Sequence, residues 1–469
     1  MKSCHPGCDD FLSYAGWLKK KSRLHGFWHQ RFVSLEGDQL TIYKDDTRQV
    51  VEERLKLYPD TKAEITQTKK FSIFNIGETK ANMLFLADSI EDATRWVTAI
   101  HAVSLPSPKL SMDDFNIISL IGKGFYGKVR LCQKKDTGDL YAIKSVHKSI
   151  LIKTGRTCAV IAERNLMMKA KFPFLVSLHF TFQTRSKFYF GLEYVPGGDL
   201  KFHKSQVGKI PIFDAKLYAA QIGLAITYLH GIGIVYRDLK PENVLLDGQG
   251  YIKLVDFGLS KDINQVKTTR TFCGTPEYIS PELILKKNYG YAVDEWALGV
   301  LMYEIIFGDP PFVDENENKL YDKIVLEEPK YPADADPNLV DIIKKLLVKD
   351  PAKRPKFIDL KSHPFFADID FKKVYNKEYK PSYVPKLTTR LSLENFDPYI
   401  TNENPNDSYV SPAIGEIGNI SGFNFVDKSF DIDEEEEELL TPSSIEELIS
   451  ALPDIPAEES PLNENSVQV

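Results

Sequence analysis

Gly122-Lys123-Gly124-Phe125-Tyr126-Gly127-Lys128-Val129 sets three glycines where a backbone could approach phosphate oxygens. Glycine puts no side chain in the way, and its amides can donate to an anion. Tyr141-Ala-Ile-Lys144 follows on a strand-like stretch and offers one ammonium. Neither feature is specific alone. G-x-G-x-x-G also opens dinucleotide folds, and a single strand lysine is usually a solvated edge residue. No second half of a Rossmann unit follows, so the loop and lysine need further motifs to give them meaning.

Those motifs come in order: YRDLKPENVLL at 236–246, LVDFG at 254–258 and TFCGTPEYISPE at 271–282. With the glycine loop they make four ordered stretches that resemble protein kinases in identity and spacing. The resemblance implies ATP and Mg2+ as cofactors and a role for each matched residue. Lys144 would hold the α- and β-phosphates, positioned by an ion pair with Glu163. Gly122, Lys123, Gly124, Phe125, Tyr126, Gly127 and Val129 would cover them. Asp256 and Asn243 would bind the metal, Asp238 would accept the hydroxyl proton, and Lys240 would steady the phosphoryl group. Leu192 would guard the adenine pocket, Glu193 to Val195 would meet adenine, and Asp199 the ribose. Two positions depart from the pattern: Tyr236 stands for a histidine and Ser280 for an alanine. Neither removes a group needed for transfer.

KPEN, TFCGTPEY and ENFDPY at 394–399 resemble the AGC kinase group. With the N-terminal segment described below, the chain is similar to the Akt/protein kinase B (RAC) family. In that family Asp199, Glu242 and Glu304 would face arginines upstream of the acceptor, because carboxylates pair with guanidinium through two bonds. Glu304 could equally be a buried ion-pair partner of its helix. Thr271 would be the activation-loop phosphorylation position, set by an upstream kinase, with Arg237 and Lys261 as its ligands. Ser411 and Ser429 are further expected phosphorylation positions. The family's hydrophobic motif, F-x-x-F-[ST]-[FY], would fall on Phe425 to Phe430. Lys428 then takes the second aromatic position, and the segment docks beside the helix that carries Glu163.

Elements must position these groups. From 11 to 104, YAGWLKKKS, WHQRFVSLE, DQLTIYKD, FSIFNI and ANMLFLADS alternate like antiparallel strands. An amphipathic helix follows, with Ser89 as N-cap and Ile90, Ala93, Val97 and Ile100 on one face. Strands closed by one helix containing Trp96 resemble a pleckstrin-homology (PH) domain. Its lipid face would hold Lys19, Lys20, Lys21, Arg23, His29 and Arg31, with His29 departing from the family's arginine. Residues 105–114 read as a linker. From 115 to 366, strands precede helices, as in a two-lobed α+β domain. Residues 367–430 form the AGC-type extension, and 431–469 an acidic, disordered tail.

Composition bounds the rest. The chain has 469 residues, 27% of them charged, and a net charge of −7. Residues 391–469 hold nineteen acids against Lys428 alone, so the body before them is net basic. Five scattered cysteines suit a reducing compartment; Cys4-His-Pro-Gly-Cys8 lacks a second ligand pair for zinc. A spanning segment, signal peptide or lipid anchor is not expected. The expected protein is a monomer without a nucleic-acid partner, cytoplasmic and recruited to the plasma membrane by anionic phosphoinositide, acting on proteins with upstream arginine. The competing expectation is a membrane-recruited scaffold with an inactive kinase fold; intact Lys144, Asp238, Asn243 and Asp256 weigh against it.

Overall fold

A computed structural model of the chain describes residues 13–22, 26–36, 39–58, 61–67, 69–75, 83–89, 92–93, 96–97, 99–100, 110–124, 127–154, 156–263, 268–406 and 423–427. Arg23, Phe125, Tyr126, Ser411, Ser429, residues 105–109 of the linker and the 431–469 tail lie outside the described residues.

The N-terminal domain is one antiparallel seven-stranded sheet. Strands β1 (Ser13–Lys21), β2 (Trp28–Glu36), β3 (Gln39–Tyr43), β4 (Val51–Lys56), β5 (Thr61–Gln67), β6 (Lys70–Asn75) and β7 (Met83–Leu86) lie in the order β4-β3-β2-β1-β7-β6-β5. Alternation sends Val33, Leu35, Leu40 and Ile42 inward. VEERLK and TKAEITQ were not legible as β4 and β5, since their charged positions leave little but Leu55 and Ala63 for the core. The closing helix does form. Ala93, Trp96 and Ile100 on its turns are at most 1% exposed, and Ser89 Oγ accepts the Asp92 N–H at 3.0 Å, the N-cap its sequence implies.

The second domain begins with β8 (Phe115–Lys123), β9 (Gly127–Lys134), β10 (Leu140–His147), α1 (Lys148–Thr154), α2 (Thr157–Lys169), β11 (Leu178–Gln183) and β12 (Lys187–Glu193). Gly127 opens β9 because no other residue fits: a Cβ there would lie 1.6 Å from Ser145 O on β10. The chain then becomes helical, with α3 (Leu200–Val207) and α4 (Ile212–Gly231). Short pairs β13 (Ile234–Val235) with β16 (Lys261–Asp262), and β14 (Val244–Leu246) with β15 (Ile252–Leu254), carry the intervening loops. Next come α5 (Pro281–Ile284), α6 (Ala292–Phe307), α7 (Glu317–Leu326) and α8 (Pro337–Leu346). Helices α4 and α6 are apolar nearly all round and are buried, as such helices must be.

The extension runs back over this domain through α9 (Phe371–Tyr375) and α10 (Pro398–Thr401). It ends as β17 (Phe425–Val426), paired antiparallel with β11, so the sheet reads β17-β11-β12-β10-β9-β8. Phe423 is 1% exposed and packs on Phe188 and Phe190, with ring centroids at 4.5 and 5.7 Å. Thr181 donates its hydroxyl to Phe423 O at 2.5 Å. The segment docks on this lobe as the resemblance implies, with Phe425 half-buried, but its buried anchor among the described residues is Phe423, two residues before the expected motif. Lys428, Ser429 and Phe430, the rest of that motif, lie outside the described residues.

Candidate active site

Lys144 occupies β10, the third strand of its sheet, and Glu163 the middle of α2 packed behind it. Lys144 Nζ lies 2.7 Å from Glu163 Oε1 and 2.9 Å from Asp256 Oδ1. Burial alone would pull the lysine's pKa down; the Asp256 and Glu163 charges more than reverse this and hold it above its ordinary value. Asp256 sits in the left-handed region at φ 60°. It accepts the Gly258 N–H at 3.1 Å, and Lys144 is the main reason its carboxyl stays below the usual range.

Across from it, Asp238, Lys240 and Asn243 share one loop. Asn243 Nδ2 donates to Asp238 Oδ2 at 2.7 Å and to Asp238 O at 2.8 Å. Lys240 Nζ lies 3.2 Å from Asp238 Oδ1 and 3.1 Å from Thr275 Oγ1. Burial pushes the Asp238 carboxyl up, against the pull of Lys240. A pocket beside it is lined by Cys273, Gly274, Thr275 and Tyr278.

Sequence reasoning missed what holds this loop. Asp294 on α6 is fully buried and accepts the backbone N–H groups of Tyr236 and Arg237, each at 2.8 Å. His230 Nε2 meets the same carboxylate at 2.8 Å. Tyr236 donates its hydroxyl to Val255 O, so the residue replacing histidine ties the loop to the strand before Asp256. An acid inside the apolar run VDEWALGVLMYEIIF was the available signal, because a buried carboxylate requires partners.

The remaining expected positions divide. Lys123 lies at the end of β8 and pairs with Glu403 of the extension at 2.8 Å. Gly122 and Val129 are cross-strand partners on β8 and β9, beside the Gly124–Gly127 turn. Glu193 pairs with Lys253 at 2.8 Å, and Val195 is buried. The segment between β12 and α3 is covered by the extension: Tyr194 OH donates to Ser392 O at 3.2 Å, and Asn395 Nδ2 to Pro196 O at 3.2 Å. Asp199 caps α3 by accepting the Phe202 N–H at 2.8 Å. Glu242 and Glu304 are near neighbours of Lys201 and Lys204 on α3. Glu304 has the buried ion-pair character left open by the sequence, with its side chain 10% exposed.

Thr271 is exposed, and its carbonyl accepts from Tyr289 OH at 2.5 Å. Arg237 Nη1 reaches that same tyrosine hydroxyl at 3.0 Å, and Lys261 donates to Thr269 Oγ1 at 2.9 Å. Both cations thus lie close to Thr271, and Lys261 is depressed by burial and by the Arg237 charge. In the N-terminal domain, Lys20 and His29 are cross-strand partners, as are Leu18 and Arg31. Lys19, Lys21 and His29 are exposed. Two acids unforeseen from sequence meet the others: Lys20 pairs with Glu53, and Arg31 Nε lies 2.6 Å from Glu52.

Comparison with known proteins agrees with both domains. The protein kinase domain family matches residues 115–366, more than half of the chain. The chain belongs to the protein kinase family. The PH domain family matches residues 12–105 ahead of the kinase domain. A RAC family serine/threonine-protein kinase homolog of Dictyostelium discoideum is 34% identical over 412 residues, covering 84% of this chain and 92% of the relative. Human serine/threonine-protein kinase Sgk2 is 38% identical over 338 residues, 70% of this chain and 92% of its own. Serine/threonine-protein kinase YPK1 of Saccharomyces cerevisiae is 42% identical over 311 residues, 66% of this chain and 46% of its own. The chain spans about half the length of several curated relatives it matches, YPK1 among them. This set of relatives, with the PH domain, is consistent with an Akt/RAC-like AGC kinase. Among the described residues no helix is long and apolar enough to cross a membrane.

The donor set fits a nucleotide with a hard cation. Asp256 supplies an ionised carboxylate. Asn243, with Nδ2 turned to Asp238, keeps Oδ1 as an oxygen ligand, and oxygen donors are what Mg2+ prefers. The space at Gly124 is open, since a Cβ there would meet nothing within 4 Å.

Proposed function

We propose that this protein is a serine/threonine protein kinase that moves the γ-phosphoryl group of ATP to a hydroxyl of a protein with basic residues upstream. The observation that carries this reading is Lys144 held between Glu163 and Asp256, at 2.7 and 2.9 Å, with Asp256 near enough to Asp238 for its charge to raise that carboxyl. The preference for serine and threonine is drawn from the names of its relatives.

Lys144, fixed by Glu163, presents its ammonium to the α- and β-phosphates. Asp256 and Asn243 are the residues that would hold Mg2+, which when bound offsets phosphate charge. Asp238 accepts the proton of the acceptor hydroxyl, and Asn243 and Lys240 orient its two oxygens. Lys240, also tied to Thr275, places a positive charge on the same side. Catalysis here is positioning and electrostatics with no covalent enzyme intermediate.

The PH domain recruits the protein from cytoplasm to an anionic phosphoinositide surface of the plasma membrane through Lys19, Lys20, Lys21, Arg23, His29 and Arg31, the lysines and arginines among them each worth ~1 kcal/mol near such a leaflet. An upstream kinase activates it at Thr271, where a phosphate would be drawn to Arg237 and Lys261. The deciding experiment is phosphoryl transfer from ATP–Mg2+ to a serine peptide by the full chain and by Asp256→Asn. Transfer in the parent and its loss in the folded mutant is the expected result; equal turnover in both refutes the assignment.

A further inference from the structure

Helix α3 carries Lys201 and Lys204 about one turn apart, and each meets an acid beside the catalytic loop. Lys201 Nζ lies 2.7 Å from Glu242 Oε1, and Glu242 is the residue just before Asn243. Lys204 Nζ lies 2.5 Å from Glu304 Oε1 and donates to Gly308 O at 2.8 Å. Tyr278 gives its hydroxyl to the other Glu304 oxygen at 2.5 Å.

The two pairs differ in access. Both Glu304 oxygens are engaged and its side chain is 10% exposed, which leaves no room for an incoming cation. Lys201 is 63% and Glu242 39% exposed, so that pair can open to solvent or to another partner. Asp199 adds to the same field. The Glu242 hydrogen bond is the chief reason Lys201 is raised, with the charges of Asp199 and Glu304 contributing. Burial would raise Glu242, but Lys201 draws it below the ordinary range.

We propose that Lys201 is a specificity-determining residue of the substrate cleft, competing from within the chain for the Glu242 carboxylate that a basic substrate would use. The proposal rests on the kinase reading and deepens it. A peptide whose hydroxyl reaches Asp238 must pass Glu242, because Asp238 and Glu242 flank Lys240 on one loop. Its upstream cation then exchanges with Lys201 and does not meet a bare carboxylate. An arginine still gains, since its planar fork makes two parallel hydrogen bonds where an ammonium makes one contact. The gain is a difference between two ion pairs, and arginine preference is correspondingly blunted. Glu304, closed by Lys204 and Tyr278, takes no part.

The test uses the full chain with ATP–Mg2+ and two serine peptides that differ only in one upstream residue, arginine or alanine. The readout is the ratio of their kcat/KM values in the parent, Lys201→Gln and Lys201→Arg. Lys201→Gln should raise the ratio by about two- to fivefold, the scale of an exposed ion pair, through KM for the arginine peptide. Lys201→Arg restores the competing cation and should return the ratio to the parental value or below. A ratio indifferent to Lys201→Gln, or raised as much by Lys201→Arg, overturns the proposal alone. Absence of turnover on both peptides in the parent overturns the kinase reading and this proposal with it.

Discussion

Asp294 holds Arg237 by its main chain: the Oδ1 atom of one accepts the N–H of the other at 2.8 Å, inside a fully buried site. Its second oxygen holds Tyr236 in the same way. Arg237 sits at φ 68°, a conformation that L-residues keep only when their surroundings fix it. The carboxylate therefore sets the path of the chain just before Asp238.

Asp294→Asn keeps the volume but can accept on only one oxygen. Misplacing the loop by a fraction of an ångström should lower kcat on the order of 100-fold, with a smaller change in KM for ATP. Stability should also fall, on the order of 1–3 kcal/mol, because a buried backbone N–H loses its acceptor and His230 is left with Glu295 alone. Steady-state kinetics alongside urea unfolding would separate the two effects. A variant with parental kcat would remove Asp294 from the positioning role.

His230 gives a pH prediction. Burial disfavours its charged form, yet hydrogen bonds to Asp294 and Glu295 win and raise it to about 9. Its folded pKa lies above the unfolded value, so its stabilisation is complete below about pH 6.5 and is lost as pH rises through about 9. The unfolding free energy from urea titration should decline across that window by an amount on the order of a few kcal/mol at most. In His230→Asn the decline should flatten. An unchanged slope would mean another group is responsible.

Phe423, not Phe430, should be the residue on which tail docking depends. Emptying a buried phenylalanine site costs roughly 3–5 kcal/mol, more than a two-strand attachment can spare. The docked strand also touches the helix of the catalytic ion pair, since the Arg164 guanidinium lies 6.0 Å from the centre of the Phe425 ring and Arg164 follows Glu163. Turnover should therefore fall in Phe423→Ala and hold in Phe430→Ala. Asn424, which accepts from Gln183 Nε2 at 3.4 Å, separates the two docked aromatics without a phosphorylatable hydroxyl. Ser429→Ala should accordingly have little effect; if it abolishes activity while Phe423→Ala does not, the expected register was right.

On the PH domain, Glu52 and Glu53 should weaken binding to anionic membranes. They compensate Arg31 and Lys20, both of which are partly exposed. Glu53→Gln should tighten binding to vesicles containing anionic phosphoinositide by about two- to fivefold at low salt, and less at high salt. Vesicle sedimentation at two ionic strengths would measure it. Unaltered binding would place the lipid face elsewhere.

What could be read beforehand follows from how local each signal is. The glycine loop, Lys144 and the Asp238–Asn243 loop are short motifs, and the structure brings Lys144 to Asp256 and Asp256 near Asp238. Ser89 announced its helix through a cap bond that spans three positions. Asp294, Lys201 and Glu53 act through partners 57, 41 and 33 positions away, and nothing within their own neighbourhoods names those partners. Strands β4 and β5 hid because their buried positions are few and small. Phe423 went unread because it precedes the motif that the resemblance names, and only its packing against Phe188 and Phe190 marks it as an anchor.

The extension alters what counts as the catalytic unit. It leaves the helical lobe through Lys377 paired with Asp247 at 3.0 Å, covers Tyr194, and meets β8 and β9 through Glu403 on Lys123 and Pro405 O on Arg130. It then supplies β17 at the opposite margin of the same sheet. A chain cut after Phe366 would keep every residue of the kinase family match yet strip the extension's contacts from β8 and β9 and leave β11 as an open hydrogen-bonding edge. Such a fragment should self-associate, so the smallest piece that behaves as a soluble enzyme ends near Asp427.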